Sequence, residues 1–323
     1  MKAVRVHAYG GPEILRLDEL PMPTPGPGQV VAKVAAAGVN FIDTQLRSGL
    51  YKRSPPPFSL GLEGAGTIED IGADVAGFRV GDRVGWIQAP GSYATHALLP
   101  SERLVPLPDA ITFADAAAAL FQGATAHYLA HATYALGPGK TCLVHSAAGG
   151  VGLLLCQMAR NLGARIIATV STEAKAALAG AAGAHEAVVT SQGDFLAAVK
   201  RLTDGAGVDV VYDAVGRDTF ERNLDCLKPR GCCAIYGEAS GTVPPFDLRE
   251  LGSHGSLFLT RAGLNHYTAT REEFLARTGD VLRWLAEGRL RLRVERNYPL
   301  EEAAEAHRAI ESRATSGKLL LLP

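Results

Sequence analysis

One stretch of the chain decides the fold class: TCLVHSAAGGVG, residues 141–152. Strand-forming sequence runs into small residues, and an apolar helix-forming segment, residues 150–163, follows at once. Small residues at such a junction permit a tight turn, a close approach of the backbone to a pyrophosphate, and close packing of helix on strand. The N–H groups and dipole of the helix N-terminus then bind phosphate. The residues predicted to contact a dinucleotide here are Ala148, Gly149, Gly150 and Val151.

Downstream of this turn, short apolar strands alternate with helices. The predicted strands are residues 165–170, 186–189, 208–215, 232–237 and 256–260, and the predicted helices are residues 173–180, 195–203 and 219–226. Alternation of this kind is typical of βαβ units, and nearly continuous apolar runs indicate strands that are covered on both faces. We therefore predict an α/β protein with a doubly wound, parallel-sheet Rossmann domain.

The sequence on either side of this domain has a different texture. Residues 1–122 are rich in short strands, such as 30–35 and 66–71, with Gly/Pro-rich segments between them. The tail predicts a helix at 272–287, a strand at 292–298, a helix at 300–311 and a last strand, KLLLL. Because the parallel sheet is complete by about residue 260, we expect the tail to return to the first domain. The predicted domains are residues 1–122 with 262–323, and residues 123–261.

The end of the second Rossmann strand indicates which dinucleotide is bound. An NAD site usually places an acidic residue there for the ribose diol, whereas this chain has Val170-Ser171-Thr172-Glu173-Ala174-Lys175. Hydroxyls and a lysine suit a 2′-phosphate, so Ser171, Thr172 and Lys175 predict NADPH. We expect Glu173 to cap the N-terminus of the following helix.

Composition excludes several classes of function. The 323 residues include 32 Lys+Arg and 33 Asp+Glu, a formal net charge of -1, so no basic field favours DNA or an anionic membrane, and RNA is disfavoured as the main ligand. The N-terminus has no apolar signal region, and the five cysteines contain no C-x-x-C pair. We expect a soluble protein of the reducing cytoplasm.

Several motifs occur together and in a fixed order: GVNFID at 38–43, RSGLY at 47–51, VHSAAGGVG, VVYDAVGRDT and ESRATSGKLLLLP. In these motifs the chain resembles the zinc-free quinone oxidoreductase (zeta-crystallin-like) family of the medium-chain dehydrogenase/reductase superfamily. The resemblance covers almost the whole length. It implies a GroES-like β-barrel catalytic domain, a nested Rossmann domain, an active cleft between them, and a homodimer.

Zinc-dependent members of the superfamily carry a catalytic cysteine near the position of Asn40 and a G-H-E motif that supplies a histidine ligand. Here the motif reads Gly61-Leu62-Glu63, and the four-cysteine structural lobe is missing. His127 and His131 have helical spacing but no third ligand. We therefore predict a site without metal.

The resemblance also implies which residues act. It places Asn40, Asp43 and Tyr51 in the cleft beside the nicotinamide as catalytic residues. Besides the residues of the glycine-rich turn and the 2′-phosphate site, the residues that it implies at the cofactor are Asn40, Thr125, Gly237, Arg261 and Lys318. Relatives often carry a tyrosine near the third strand, where this chain has Thr190-Ser191.

The resulting hypothesis is hydride (or electron) transfer from NADPH to a quinone without a metal, with a hydrogen bond from Asn40 or Tyr51 to the acceptor oxygen. An NADPH-dependent enone or alkenal reductase is an alternative that the residues do not separate from it. An NADPH- or RNA-binding protein with slight turnover is an alternative of another class.

Overall fold

The computed structural model describes residues 1–323 in two compact units, Met1–Ala124 with Thr268–Pro323, and Thr125–Tyr267. None of the helices is long and apolar enough to cross a membrane.

The first unit contains most of the strands. Numbered along the whole chain, its strands are β1 (Lys2–Val6), β2 (Leu15–Glu19), β3 (Gln29–Val39), β4 (Phe58–Ser59), β5 (Glu63–Ile71), β6 (Arg83–Ile87), β7 (His96–Pro100), β8 (Leu104–Pro106), β15 (Val294–Pro299) and β16 (Lys318–Leu322). Its helices are α1 (Phe41–Ser48), α9 (Arg271–Ala286) and α10 (Ala303–Glu311), with most of α2 (Phe113–Tyr128).

The second unit alternates strands and helices. Its strands are β9 (Thr141–Val144), β10 (Arg165–Val170), β11 (Glu186–Val189), β12 (Val208–Asp213), β13 (Leu227–Ile235) and β14 (Phe258–Arg261). Its helices are α3 (Gly150–Asn161), α4 (Glu173–Ala181), α5 (Phe195–Leu202), α6 (Phe220–Cys226), α7 (Arg249–Ser253) and α8 (Leu264–Tyr267).

In the first unit, the eleven-residue strand β3 organises a seven-stranded sheet. It pairs with β5 and β7, and its last residues pair with the C-terminal strand β16, where Gly38 faces Leu320. A smaller sheet has the order β2-β1-β4. The core includes the fully buried side chains of Trp86 and Tyr93, with Leu321 from the tail. The tail is therefore part of the same core as the N-terminal strands.

In the second unit, six parallel strands have the order β11-β10-β9-β12-β13-β14. Counted within the unit this is the 3-2-1-4-5-6 order of a dinucleotide-binding fold, so the prediction of a Rossmann-type sheet is confirmed. Branched aliphatic residues such as Ile166, Ile167 and Val211 fill both faces of the strands, which explains their nearly continuous apolar runs.

Several predicted strand boundaries are wrong: the strand predicted at 256–260 is Phe258–Arg261, and the one predicted at 292–298 is Val294–Pro299. Two other differences have identifiable reasons. The strand predicted at 208–215 ends at Asp213, because its carboxylate accepts hydrogen bonds from the N–H groups of Val215 and Gly216 and turns the chain. The strand predicted to start at 232 starts at Leu227, since the irregular segment around Arg230, where φ is 62°, stays within the ladder.

Candidate cofactor and active-site residues

The glycine-rich turn has the geometry of an anion site. The N–H of Gly149 donates to the carbonyl of Ser146 over 2.9 Å, and the twelve-residue helix α3 begins at Gly150. Its first turn has neither a side-chain cap nor an acidic residue, so the N–H groups there keep their capacity to donate. A Cβ on Gly152 would lie 2.5 Å from the Ser146 oxygen, which makes glycine necessary at that close approach. This turn fits a pyrophosphate.

Behind the turn, a buried polar network fixes the ends of three strands. The imidazole of His145 contacts Thr169 Oγ1 at 2.8 Å and Asn223 Oδ1 at 2.7 Å, and Asn223 Nδ2 donates to Asp213 Oδ2 over 2.8 Å. Burial lowers the pKa of His145. A neutral ring therefore accepts from the threonine hydroxyl and donates to the amide oxygen. The network holds β9, β10 and β12 where they meet the phosphate turn.

The predicted 2′-phosphate residues lie together where β10 meets α4. Thr172 is the N-cap of α4, and its Oγ1 accepts a hydrogen bond from the backbone N–H of Lys175 over 3.3 Å. The expectation that Glu173 caps this helix is wrong, because the hydroxyl of Thr172 has that role and Glu173 is exposed in the first turn. Ser171 is exposed, and its carbonyl accepts a hydrogen bond from Ser191 Oγ.

The other cofactor candidates of the second unit lie on three elements. Gly237 follows β13 where a Cβ would lie 2.8 Å from the carbonyl oxygen of Ala214, so a side chain would clash. Arg261 ends β14, and its guanidinium pairs with Glu238 at 3.3 Å. Thr125 is buried in α2. Their contacts with a cofactor stay a prediction.

The first unit places Asn40 and Asp43 at the start of α1, a helix that the sequence analysis did not predict. The N–H of Asn40 donates to Asp43 Oδ2 over 2.9 Å, and the N–H of Asp43 donates to the carbonyl of Asn40 over 3.0 Å. This reciprocal cap starts the helix, and the left-handed Gly49 (φ 82°) ends it. The spacing Asn-x-x-Asp was the available sequence signal.

A buried ion pair adjoins the side chain of Asn40. Lys318 Nζ lies 2.5 Å from Glu63 Oε2 and donates to Asn40 Oδ1 over 2.8 Å, while Asn40 Nδ2 donates to Glu63 Oε2 over 3.1 Å. The side chains of Lys318 and Glu63 are 1% and 0% exposed. The sequence analysis did not identify Glu63 as a site residue.

A second buried chain of hydrogen bonds runs from Asp43 toward the surface. Tyr93 Oη lies 3.1 Å from Asp43 Oδ2 and 3.2 Å from His307 Nε2, and Arg47 contacts His307 Nδ1 at 3.1 Å and Glu311 Oε1 at 2.5 Å. Arginine only donates, so a neutral His307 accepts at Nδ1 and donates from Nε2 to Tyr93, whose hydroxyl donates to Asp43. Burial, and then Arg47, lower the pKa of His307 to about 3.

The carboxyl group of Asp43 is poised to titrate near neutral pH. Burial raises its pKa from 3.8 to about 7, against the hydrogen bond from the Asn40 N–H, and its Oδ1 is buried with no hydrogen-bond partner. Between these two pH values the folded chain holds a proton that the unfolded chain has released. This proton favours the folded state at low pH, and the free energy of unfolding therefore falls as pH rises from about 4 to 7.

Asp43→Asn should accordingly gain stability relative to the wild type as pH rises, by roughly 4 kcal/mol at most across that range. Urea unfolding at pH 4, 5, 6, 7 and 8 measures the difference, and the His307 contribution is shared by both proteins. Asp109→Asn, at a fully exposed aspartate, is the control. A stability difference that does not change with pH would contradict the assignment.

Tyr51 lies just beyond α1. Its N–H donates to the carbonyl of Gln45 over 3.2 Å, and its half-buried ring packs against the core of the first unit. This packing fixes the ring, while its part in catalysis stays a prediction.

Comparison with known proteins agrees with this architecture. Residues 26–109 match the family model of the alcohol dehydrogenase GroES-like domain, and residues 150–277 match that of the zinc-binding dehydrogenases. A quinone oxidoreductase of Pseudomonas aeruginosa is 44% identical over 100% of this chain and 99% of its own length. The chain belongs to the zinc-free quinone oxidoreductase family of the medium-chain dehydrogenases/reductases.

Two further relatives place the chain within the zinc-free quinone oxidoreductase family. The crystal structure of Escherichia coli quinone oxidoreductase complexed with NADPH has a TM-score of 0.98 and 40% identity, and the match covers 100% of both chains. A 2-haloacrylate reductase of a Burkholderia species is 42% identical over 99% of this chain and 98% of its own length. The resemblance found in the motifs is therefore confirmed, as is the prediction of a GroES-like unit with a Rossmann unit.

Proposed function

We propose that this protein is an NADPH-dependent quinone oxidoreductase. The observation that carries the proposal is the match over the whole length to a quinone oxidoreductase solved with NADPH, together with the uncapped α3 N-terminus in this chain. Steady-state rates with a panel of quinones, enones and aldehydes, each with NADPH and NADH, test it. Quinones with NADPH should give the highest kcat/KM, and the absence of quinone turnover would refute the proposal.

NADPH, when bound, supplies the hydride, and the protein binds and orients it. The backbone N–H groups at the start of α3 would hold the pyrophosphate. The hydroxyl of Thr172 accepts the cap bond and so still has its own proton to donate, which suits a 2′-phosphate oxygen beside Ser171 and Lys175. The hydroxyl of Tyr51 would donate a hydrogen bond to the oxygen of the acceptor and so stabilise negative charge there.

An activated-alkene reductase is the second candidate, and the 42% identity to the 2-haloacrylate reductase favours it. Such a substrate also accepts hydride at a carbon made electron-poor by a conjugated carboxylate or carbonyl group. Two ratios of kcat/KM separate the candidates: that of 2-chloroacrylate to a quinone, and that of an enone to the same quinone. If either ratio is above one, activated alkenes replace quinones as the proposed substrates.

The third candidate is a binding protein with slight turnover. The formal net charge of -1 disfavours RNA as its main ligand. A salt-titrated RNA-binding assay beside the quinone panel separates this class from the enzymes.

We propose that catalysis uses no metal, because Asn40 and Leu62 occupy positions where zinc-dependent relatives have ligands, and neither side chain is a good zinc ligand. Elemental analysis of the active enzyme should find substoichiometric zinc, and incubation with EDTA should leave kcat within about twofold. Stoichiometric zinc together with inhibition by EDTA would show that the proposal is wrong.

We propose a homodimer that is joined through β14. This strand is the edge of the six-stranded sheet, and Phe258 on it is 64% exposed, which leaves unpaired backbone groups and an apolar side chain to be covered. Light scattering should give the mass of a dimer at micromolar concentration, and Phe258→Lys should shift it toward a monomer. A wild-type monomer at that concentration would refute the proposal.

We also propose a cytoplasmic location. All five cysteines are buried free thiols, as suits a reducing compartment.

A further inference from the structure

Asn40 is 5% exposed, and three groups hold its side-chain amide. Lys318 Nζ lies 2.8 Å from Oδ1, while Nδ2 lies 3.1 Å from Glu63 Oε2 and 3.4 Å from the carbonyl oxygen of Gly38. The amide is therefore in contact with both members of the buried ion pair.

The chemistry of these partners fixes the orientation of the amide. An ammonium group only donates hydrogen bonds, and a carboxylate and a carbonyl only accept them. The oxygen of Asn40 must therefore face Lys318, and its nitrogen must face Glu63 and Gly38. Both hydrogens of Nδ2 are then donated in hydrogen bonds. The second lone pair of Oδ1 remains able to accept one more hydrogen bond.

The surroundings hold this ion pair in place. Glu63 Oε1 accepts a hydrogen bond from the N–H of Phe121 over 2.6 Å, so the carboxylate cannot rotate without losing it. A Cβ on Gly38 would lie 2.3 Å from Glu63 Oε2 and 2.8 Å from Lys318 Cε, so only glycine allows the pair to approach the strand. A buried ion pair contributes little net stability compared with apolar residues of the same volume, which points to a role other than stability.

We propose that Glu63 and Lys318 are positioning residues that fix Asn40 as a hydrogen-bond acceptor for an N–H or O–H group of bound NADPH. This inference rests on the proposed function. A quinone oxygen carries no hydrogen, so Asn40 does not serve it, and the hydrogen bond to the acceptor comes from Tyr51. Lys318 then acts through Asn40 rather than on the cofactor.

The test is the double variant Glu63→Gln with Lys318→Met, which removes both charges and nearly keeps the volumes. Its new glutamine must present oxygen to the N–H of Phe121 and therefore nitrogen to Asn40. The Asn40 amide then has to turn its oxygen toward this nitrogen and becomes a donor. The dissociation constant for NADPH, from fluorescence titration, should rise about ten- to a hundredfold.

A double-mutant cycle separates positioning from general damage. In an Asn40→Ala background the same two substitutions should alter NADPH affinity by less than about threefold, because the amide that they reorient is absent. Circular dichroism and Tm verify the fold of each variant. Lys318→Arg keeps a donor for Asn40 Oδ1, so with a Tm near that of the wild type it should keep NADPH affinity within about threefold. The matched control removes the partly exposed Asp209–Lys228 pair with Asp209→Asn and Lys228→Met, and affinity should not change.

Two results would overturn the inference: unchanged NADPH affinity in the folded double variant, or an equal loss in the presence and absence of the Asn40 side chain. If the double variant does not fold, Lys318→Arg decides, and a loss of more than about tenfold there would also refute the inference. A wild type that binds NADPH but turns over no quinone would refute the proposed function and leave this affinity test intact.

Discussion

Lys175→Ala is expected to raise the KM for NADPH about ten- to a hundredfold and to leave the KM for NADH nearly unchanged. A charge-assisted hydrogen bond to a phosphate is worth roughly 1.5–3 kcal/mol, and NADH lacks the 2′-phosphate. Lys175 lies in the first turn of α4, next to the capping Thr172 and to Ser171. Steady-state kinetics with both cofactors and one quinone provide the measurement.

Arg201→Ala is the matched control, because it removes an exposed positive charge in the last turn of α5, another helix of the same unit. It should leave both cofactors unaffected. Equal losses with NADPH and NADH in Lys175→Ala would mean that this residue supports the fold of α4 and does not read the 2′-phosphate.

Tyr51→Phe is expected to lower kcat/KM for an enone about ten- to a thousandfold while the NADPH dissociation constant stays within a few fold. The hydroxyl donates to the oxygen on which charge develops, so its loss acts in the transition state. A quinone is more electrophilic and should lose less. The apolar packing of the ring is kept, so Tm should change by only a few degrees.

Asn40→Ala should behave differently from Tyr51→Phe. The buried amide has three partners, so its loss should reduce stability by about 1–3 kcal/mol and should weaken NADPH binding more than it alters the acceptor kinetics. The measurements are kcat/KM for one quinone and one enone, beside Tm and NADPH affinity. If Tyr51→Phe reduces both acceptors as fast as the wild type does, Tyr51 is not a catalytic residue.

How much the sequence predicts depends on how local the interactions are. In the second unit, each strand and helix carries its own apolar pattern, and the caps of α4 and α5 lie within three residues of the groups that they bind. The strands β10 and β11 were predicted residue for residue. The phosphate turn was predictable for the same reason, since its strand, turn and helix are consecutive.

The polar clusters of the first unit depend on contacts that sequence spacing does not reveal. Lys318 and Asn40 are 278 positions apart, and Arg47 and His307 are 260 apart. A lysine before four leucines is typical of a strand that begins at the surface, whereas here the ammonium is buried because a carboxylate and an amide receive it. The motif around Asn40 predicts a functional residue at this position, but it does not predict which residues bind the Asn40 side chain.

The pairing of β16 with β3 has a consequence for synthesis on the ribosome. On this edge, residues Ala37–Val39 pair in antiparallel register with Leu319–Leu321. The Glu63 carboxylate forms its ion pair with Lys318 of the same C-terminal strand. At roughly 5–20 residues per second, the interval between the two strands is on the order of 10–60 s. The complete Rossmann unit leaves the ribosome during that time, so it can fold while the strand β3 still exposes an unpaired edge. A released fragment that ends at Tyr267 should therefore bind NADPH, more weakly than the full chain because Lys318 is missing, and should not reduce any acceptor.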